Sequence, residues 1–167
     1  MEIKIIENTE KHTLPAENTL GFGKIFTDHM FVMEYDEGRG WHDARIVPFG
    51  NISLHPASTV LHYGAEIFEG LKAYRTESGE VRLFRPMENI RRLNASAARM
   101  CLPEIDENMS LEILEAYVRH ESEWVPKSFG TSLYLRPFMF GNDEALGVHT
   151  VKSAVYMIIA SPSGSYY

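Results

Sequence analysis

Residues 132–140, Ser-Leu-Tyr-Leu-Arg-Pro-Phe-Met-Phe, alternate with a period of two and form the clearest strand in the chain. The alternation separates Leu133 and Leu135 from Tyr134 and Arg136. A second aromatic-rich run, 24–35, is read as a strand that turns Phe26, Asp28, Met30, Val32 and Glu34 one way and its other residues the opposite way. Residues 36–40 form a turn, and 45–49 return as the second arm of a hairpin. Residues 56–63 are expected to coil into a short helical or irregular turn and 65–68 into one more helical turn. Gly70 then releases the chain into 71–75, which pairs with 81–85 across a loop containing Gly79. Pro86 starts a helix, since a proline in the first turn forfeits no hydrogen bond. Its buried face is Ile90, Leu93, Ala97 and Met100; Arg92, Ser96 and Arg99 lie on another face, and Pro103 closes it. A second helix, capped by Ser110, carries Leu111, Leu114, Val118 and Val125 and ends at Pro126. Residues 154–160 are a buried strand, and 161–165 a loop or linker.

Hairpins with helices packed alongside give an α+β fold, mainly antiparallel. The expected organisation is an N-terminal arm over 1–23, a small α+β domain over 24–160, and the start of an interdomain linker over 161–167. An apolar strand followed at once by a Ser/Pro/Gly stretch and Tyr166-Tyr167 looks like a junction between two domains. Composition adds limits. The 44% hydrophobic and 23% charged content is ordinary for a globular protein. No run approaches the roughly 20 apolar residues of a membrane span, and the N-terminus lacks a signal-peptide pattern, so a cytoplasmic location is expected. A net charge of −7 argues against nucleic acid, though not against a small anion. The one cysteine, Cys101, excludes an internal disulfide and is read as a buried structural thiol.

Several chemistries drop out. There is no phosphate-binding glycine loop of the nucleotide type, no HExxH and no GxSxG elbow. Asp28 and His29 are strand neighbours on opposite faces and cannot simply share a metal. What remains is polar chemistry set in apolar strands. Arg136 and Tyr134 offer bidentate donors and a phenol to a carboxylate or phosphate, or else Arg136 pairs with a structural carboxylate. Arg91 and Arg92, early in their helix, suit a phosphate, or else form a solvated face. Tyr63, Phe68 and Phe26 line a pocket or fill a core.

The segments FGKIFTDHMF, LHPASTVLHYGAEIFEGLKAYR, VRLFRPMENIRRL, GTSLYLRPFMFGN and ALGV, in this order and spacing, resemble branched-chain amino acid aminotransferases. These pyridoxal-phosphate enzymes form a family with D-amino acid aminotransferase and aminodeoxychorismate lyase. The resemblance covers about residues 20–166 and implies the small N-terminal domain of a two-domain enzyme. It implies that Arg92 binds the cofactor phosphate, Arg91 standing where the family varies. Phe26, Tyr63, Phe68 and Tyr134 would line the substrate pocket, with Arg136 near the substrate carboxylates. Val148 would lie on a loop reaching the neighbouring subunit of a homodimer, and Tyr166 at the interdomain connection.

The implied reaction is reversible amino transfer between leucine, isoleucine or valine and 2-oxoglutarate. The family's Schiff-base lysine lies on a segment of the larger domain, which the resemblance places beyond Tyr167. None of the six lysines, Lys4, Lys11, Lys24, Lys72, Lys127 and Lys152, matches it. The resemblance therefore implies no catalytic residue here and activity only together with a C-terminal domain. Two other readings stand beside it: a sibling aminotransferase with another amine substrate, and a non-catalytic binding module.

Overall fold

The alternating segment becomes the strand at the middle of the sheet. In the computed structural model, which describes residues 2–164, the strands are β1 (Lys4–Ile5), β2 (His29–Asp36), β3 (Gly40–Pro48), β4 (Glu66–Phe68), β5 (Leu71–Arg75), β6 (Val81–Leu83), β7 (Ser132–Gly141) and β8 (Ser153–Ser163). The helices are α1 (Thr59–Tyr63), α2 (Pro86–Met100) and α3 (Glu107–His120). The strands form one sheet in the order β1-β3-β2-β8-β7-β5-β6, and β4 pairs with β7 off this path. All these pairings are antiparallel except that of β1 with β3. The α+β architecture matches the sequence expectation.

Period-two alternation gives this sheet two apolar faces of unequal size. Phe31, Met33, Leu133, Leu135, Met139, Tyr156 and Ile158 pack under Leu93 and Ala97 of α2 and Ile113, Leu114, Tyr117 and Val118 of α3. Each buried Val, Leu, Ile, Phe or Met among them contributes roughly 1.5–3 kcal/mol by leaving water. The opposite face holds a smaller cluster, Met30, Val32, Phe140 and Met157. Tyr134 and Arg136 project from β7 on this thinner side, where no helix covers them.

Several local expectations are corrected. Residues 65–68 are not helical: Ile67 and its neighbours pair with β7, so ladder bonding replaces a helical turn too short to nucleate. β2 starts at His29 rather than residue 24, and β3 starts at Gly40 rather than residue 45. β6 ends at Leu83, and Arg85 adopts a left-handed conformation just before α2. α3 is capped by Asp106, whose carboxylate accepts the amide of Met109; Ser110 lies one turn inside it. The helix ends at His120, and Val125 is buried beyond it. Met100 is exposed at the end of α2, and Cys101 is exposed rather than buried, in the left-handed position that caps the helix.

The expected linker also changes at its start. Residues 161–163 are not loop but continue β8, with Ser161 opposite Tyr134 and Ser163 opposite Ser132, because the long β7 offers partners that far along. Gly164 belongs to no strand, its amide donating to the Gly21 carbonyl, and residues 165–167 lie outside the described residues.

The N-terminal arm is fastened by groups no pattern revealed. The Asn8 amide donates to His29 Nε2 at 2.9 Å, so His29 Nδ1 carries the proton and donates to Glu121 at 2.6 Å. The His12 amide reaches Asp28 at 2.9 Å, and the Trp124 indole donates to the same carboxylate. Burial pushes the Glu121 carboxyl up to about 7, only partly opposed by His120, and Asp28 pushes the same way. Burial also holds His29 below its ordinary value, against the pull of Glu7 and Asp28. Glu121 thus contributes stability that is full below about 4.5, its ordinary value, and fades as pH rises through about 7. His29 works in the other direction, favouring the fold above 6.5 and losing that contribution as pH falls. Glu121→Gln, which still accepts from His29, is expected to abolish the alkaline loss. Melting temperatures at pH 5.5 and 8 test this, and an unchanged alkaline drop in the variant would assign it elsewhere.

Candidate active site

Residues opposite one another in an antiparallel ladder share a face. Tyr134 stands opposite Ser161, and Arg136 opposite Ile159. Phe22, Gly23 and Phe26, from the approach to β2, close over these positions and leave a recess of about 250 Å³. Three of the sequence-predicted residues, Phe26, Tyr134 and Arg136, line it together. The Phe22 ring meets Tyr134 edge-on at 4.9 Å.

Local chemistry fixes the polar pair. Arg136 Nη2 donates to the Tyr134 hydroxyl at 2.9 Å, and its guanidinium lies 4.4 Å over the Phe68 ring. A cation on an aromatic face gains from the ring quadrupole without a counter-charge. The arginine is thereby oriented but not neutralised. A Cβ at Gly70 would collide with the Tyr134 hydroxyl, so a glycine there lets the phenol occupy its place. Two buried polar atoms of this wall, Arg136 Nε and Ser161 Oγ, have no hydrogen-bond partner among the described residues. Buried polar groups are rarely left so, and a donor and a hydroxyl on an apolar wall suit a small polar ligand.

Phe68 itself is largely exposed beside this wall. Tyr63, half exposed at the end of α1, donates its hydroxyl to the carbonyl of Leu146. That bond ties it to the loop bearing Val148, which is 86% exposed. Tyr63 is thus tied to that loop through Leu146, and neither it nor Val148 lines the recess. Tyr166 and Tyr167, and with them the expected place of Tyr166 at the interdomain connection, lie outside the described residues.

Arg92 projects from the first turns of α2. Its Nε and Nη2 grip the Glu69 carboxylate at 2.6 and 2.7 Å, while Nη1 is not engaged by Glu69. Its side chain is 67% exposed. Arg91 pairs instead with Glu88 and Glu107 on the solvated face, as an ordinary surface charge. A larger hollow of about 770 Å³ lies between β6 and α3, and none of the predicted site residues line it.

Sequence reasoning missed Ser161, Phe22 and Glu69. Ser161 was hidden by its Ser-Pro-Ser neighbours, although the alternation of β8 runs on through it. Glu69 carries no periodic signal, because it sits between two short strands.

No protein-family model matches the chain. Among curated proteins, branched-chain-amino-acid transaminase 1 of Bacillus subtilis (strain 168) is 54% identical over 153 residues, which cover 92% of this chain and 43% of that protein. The mitochondrial branched-chain-amino-acid aminotransferase of Schizosaccharomyces pombe is 48% identical, over 99% of this chain and 39% of its own length. By sequence, the chain is a relative of the N-terminal part of branched-chain aminotransferases. The solved branched-chain amino acid aminotransferase from Escherichia coli is 25% identical with a TM-score of 0.58, over 80% of this chain and 41% of that one. A crystal structure of another branched-chain amino acid aminotransferase, with pyridoxamine 5'-phosphate, has a TM-score of 0.63 and 26% identity. It covers 81% of this chain and 40% of that one. The α+β fold is therefore that of the small domain of branched-chain aminotransferases. The chain spans less than half the length of these relatives.

Proposed function

We propose that this chain is the substrate-pocket and phosphate-anchor half of a pyridoxal-phosphate-dependent branched-chain aminotransferase, interchanging leucine, isoleucine or valine with 2-oxoglutarate. The observation that carries the reading is the convergence of Phe26, Tyr134 and Arg136 on one recess, on a chain 54% identical to a named branched-chain transaminase.

Each residue has a task on this reading. Arg92 presents an outward guanidinium edge to a phosphate, where charge-assisted bonds are about twice as strong as neutral ones. Phe26 and Phe68 offer aromatic surfaces that hold a branched aliphatic side chain by apolar contact alone, with Tyr63 outside the recess on the rim it shares with the loop bearing Val148. Glutamate and 2-oxoglutarate need a polar group at the same wall. Tyr134 and Arg136 supply it, and stacking on Phe68 keeps the arginine available instead of spent on a carboxylate. Bound pyridoxal phosphate supplies the electron sink for amino transfer.

The attacking lysine belongs, on this proposal, to a larger domain beyond Tyr167. Lys72 is the nearest candidate here, since it stands opposite Tyr134 across β5 and β7. The exposed apolar rim of Leu61, Phe68, Leu146 and Val148 is the surface that domain and a second subunit would cover. Mixing the chain with pyridoxal phosphate and reducing with borohydride is expected to leave all six lysines without stoichiometric label, and transaminase turnover absent. Specific labelling of Lys72 together with turnover would overturn the division of labour.

A further inference from the structure

Glu69 is more than nine-tenths buried, yet it faces the exposed Arg92, and its carboxylate is fixed from several sides. Asn89 Nδ2 donates to Oε2 at 2.9 Å and also reaches the Gly70 carbonyl, so it bridges α2 to the segment after β4. The Gly70 amide donates to Oε2 at 3.3 Å, and the backbone amide of Glu69 donates to the Pro137 carbonyl in β7 at 2.8 Å. Burial pushes the Glu69 carboxyl up, but the bonds from Arg92, Asn89 and Gly70 outweigh it and keep the group ionised. An anchored carboxylate thus meets two nitrogens of a flexible arginine in fork-to-fork geometry.

We propose that Glu69 is the positioning residue for Arg92: it fixes the guanidinium through Nε and Nη2 so that the remaining edge is held ready for a phosphate. This rests on the reading of Arg92 as the phosphate anchor. An unrestrained arginine loses rotamer freedom when it binds, and a pre-formed ion pair has already lost it. The opposing effect is electrostatic, because Glu69 offsets the arginine charge that attracts an anion. At an exposed edge that attraction is weakened by water and salt, whereas orientation is not. Orientation therefore decides the sign.

The sign separates positioning from competition. In the 167-residue chain, the Arg92 Nε–Hε signal should exchange slowly with water and shift on titration with inorganic phosphate. In Glu69→Gln, which preserves shape but replaces an acceptor by a donor facing Arg92, exchange should quicken. Phosphate affinity at Arg92 should fall about five- to ten-fold, the size of one ordinary hydrogen bond's net contribution. Asn89→Ala, which leaves the ion pair but loosens its anchor, should give a smaller loss in the same direction and covers the case of a Glu69 variant that does not fold. Equal or tighter phosphate binding by Glu69→Gln, with Arg92 still responding, overturns positioning alone and makes Glu69 a competitor. If Arg92 in the unsubstituted chain does not respond to phosphate, the anchor reading falls and positioning with it.

Discussion

Arg92→Ala, in a transaminase assembled from this chain and the remainder its relatives carry, is expected to weaken pyridoxal phosphate about 10- to 150-fold. That range follows from about 1.5–3 kcal/mol for hydrogen bonds to a charged group. Pyridoxal, which lacks the phosphate, should bind the variant and the unsubstituted enzyme alike, because Arg92 has no other assigned contact with the cofactor. Equilibrium dialysis against both compounds checks this. An equal loss for both would mean that the substitution damages the pocket as a whole. It would not then be a phosphate contact that was lost. Arg91→Ala is the control: its partners Glu88 and Glu107 are exposed, and exposed pairs are worth about 0–1 kcal/mol.

The second large effect is on stability and comes from the opposite face of the strand that bears the site. Leu135 is fully buried under the helices, and Leu135→Ala is expected to cost about 2–5 kcal/mol as a lost transfer energy plus a cavity. At about 2–4 °C per kcal/mol for a chain of this size, the melting temperature should drop by roughly 4–20 °C. Tyr134→Phe, one residue earlier and on the thinner face, removes one hydroxyl bonded to the Arg136 guanidinium and, the pair being only part-buried, should cost about 1.5 kcal/mol, the low end for a bond to a charged group. Urea denaturation of both variants, with unchanged slopes, separates a midpoint shift from a change in the unfolded state. Comparable losses from the two would contradict the division of β7 into a structural and a functional face.

That division was visible in the sequence, since a period of two needs only the order of residues. The recess was only half visible. Phe26, Tyr134 and Arg136 could be named from motifs, but their meeting depends on β8 lying beside β7, which alternation does not specify. Phe22 and Ser161 complete the wall from segments whose glycine, serine and proline content reads as loop. Glu69 was illegible for a different reason: its partners lie on a helix and a neighbouring turn, and a carboxylate's burial cannot be read from its own position. The errors at Cys101 and Met100 share one cause. Both lie where α2 ends: the left-handed cap at Cys101 closes the helix, and it is Leu102, next along, that returns to the core.

The place of β8 bears on how the molecule comes into being. Among the described residues this strand, 153–163, is the only link in the sheet between the β2–β3 hairpin on one side and β7 with β4, β5 and β6 on the other. A chain emerging from the ribosome at ~5–20 residues per second therefore carries two separate half-sheets until β8 is free. The hairpin half then waits with the edge of β2 unpaired, an invitation to another nascent chain. The closing strand supplies register to both halves at once, so the recess, whose walls come from both, is expected to assemble only once β8 has paired.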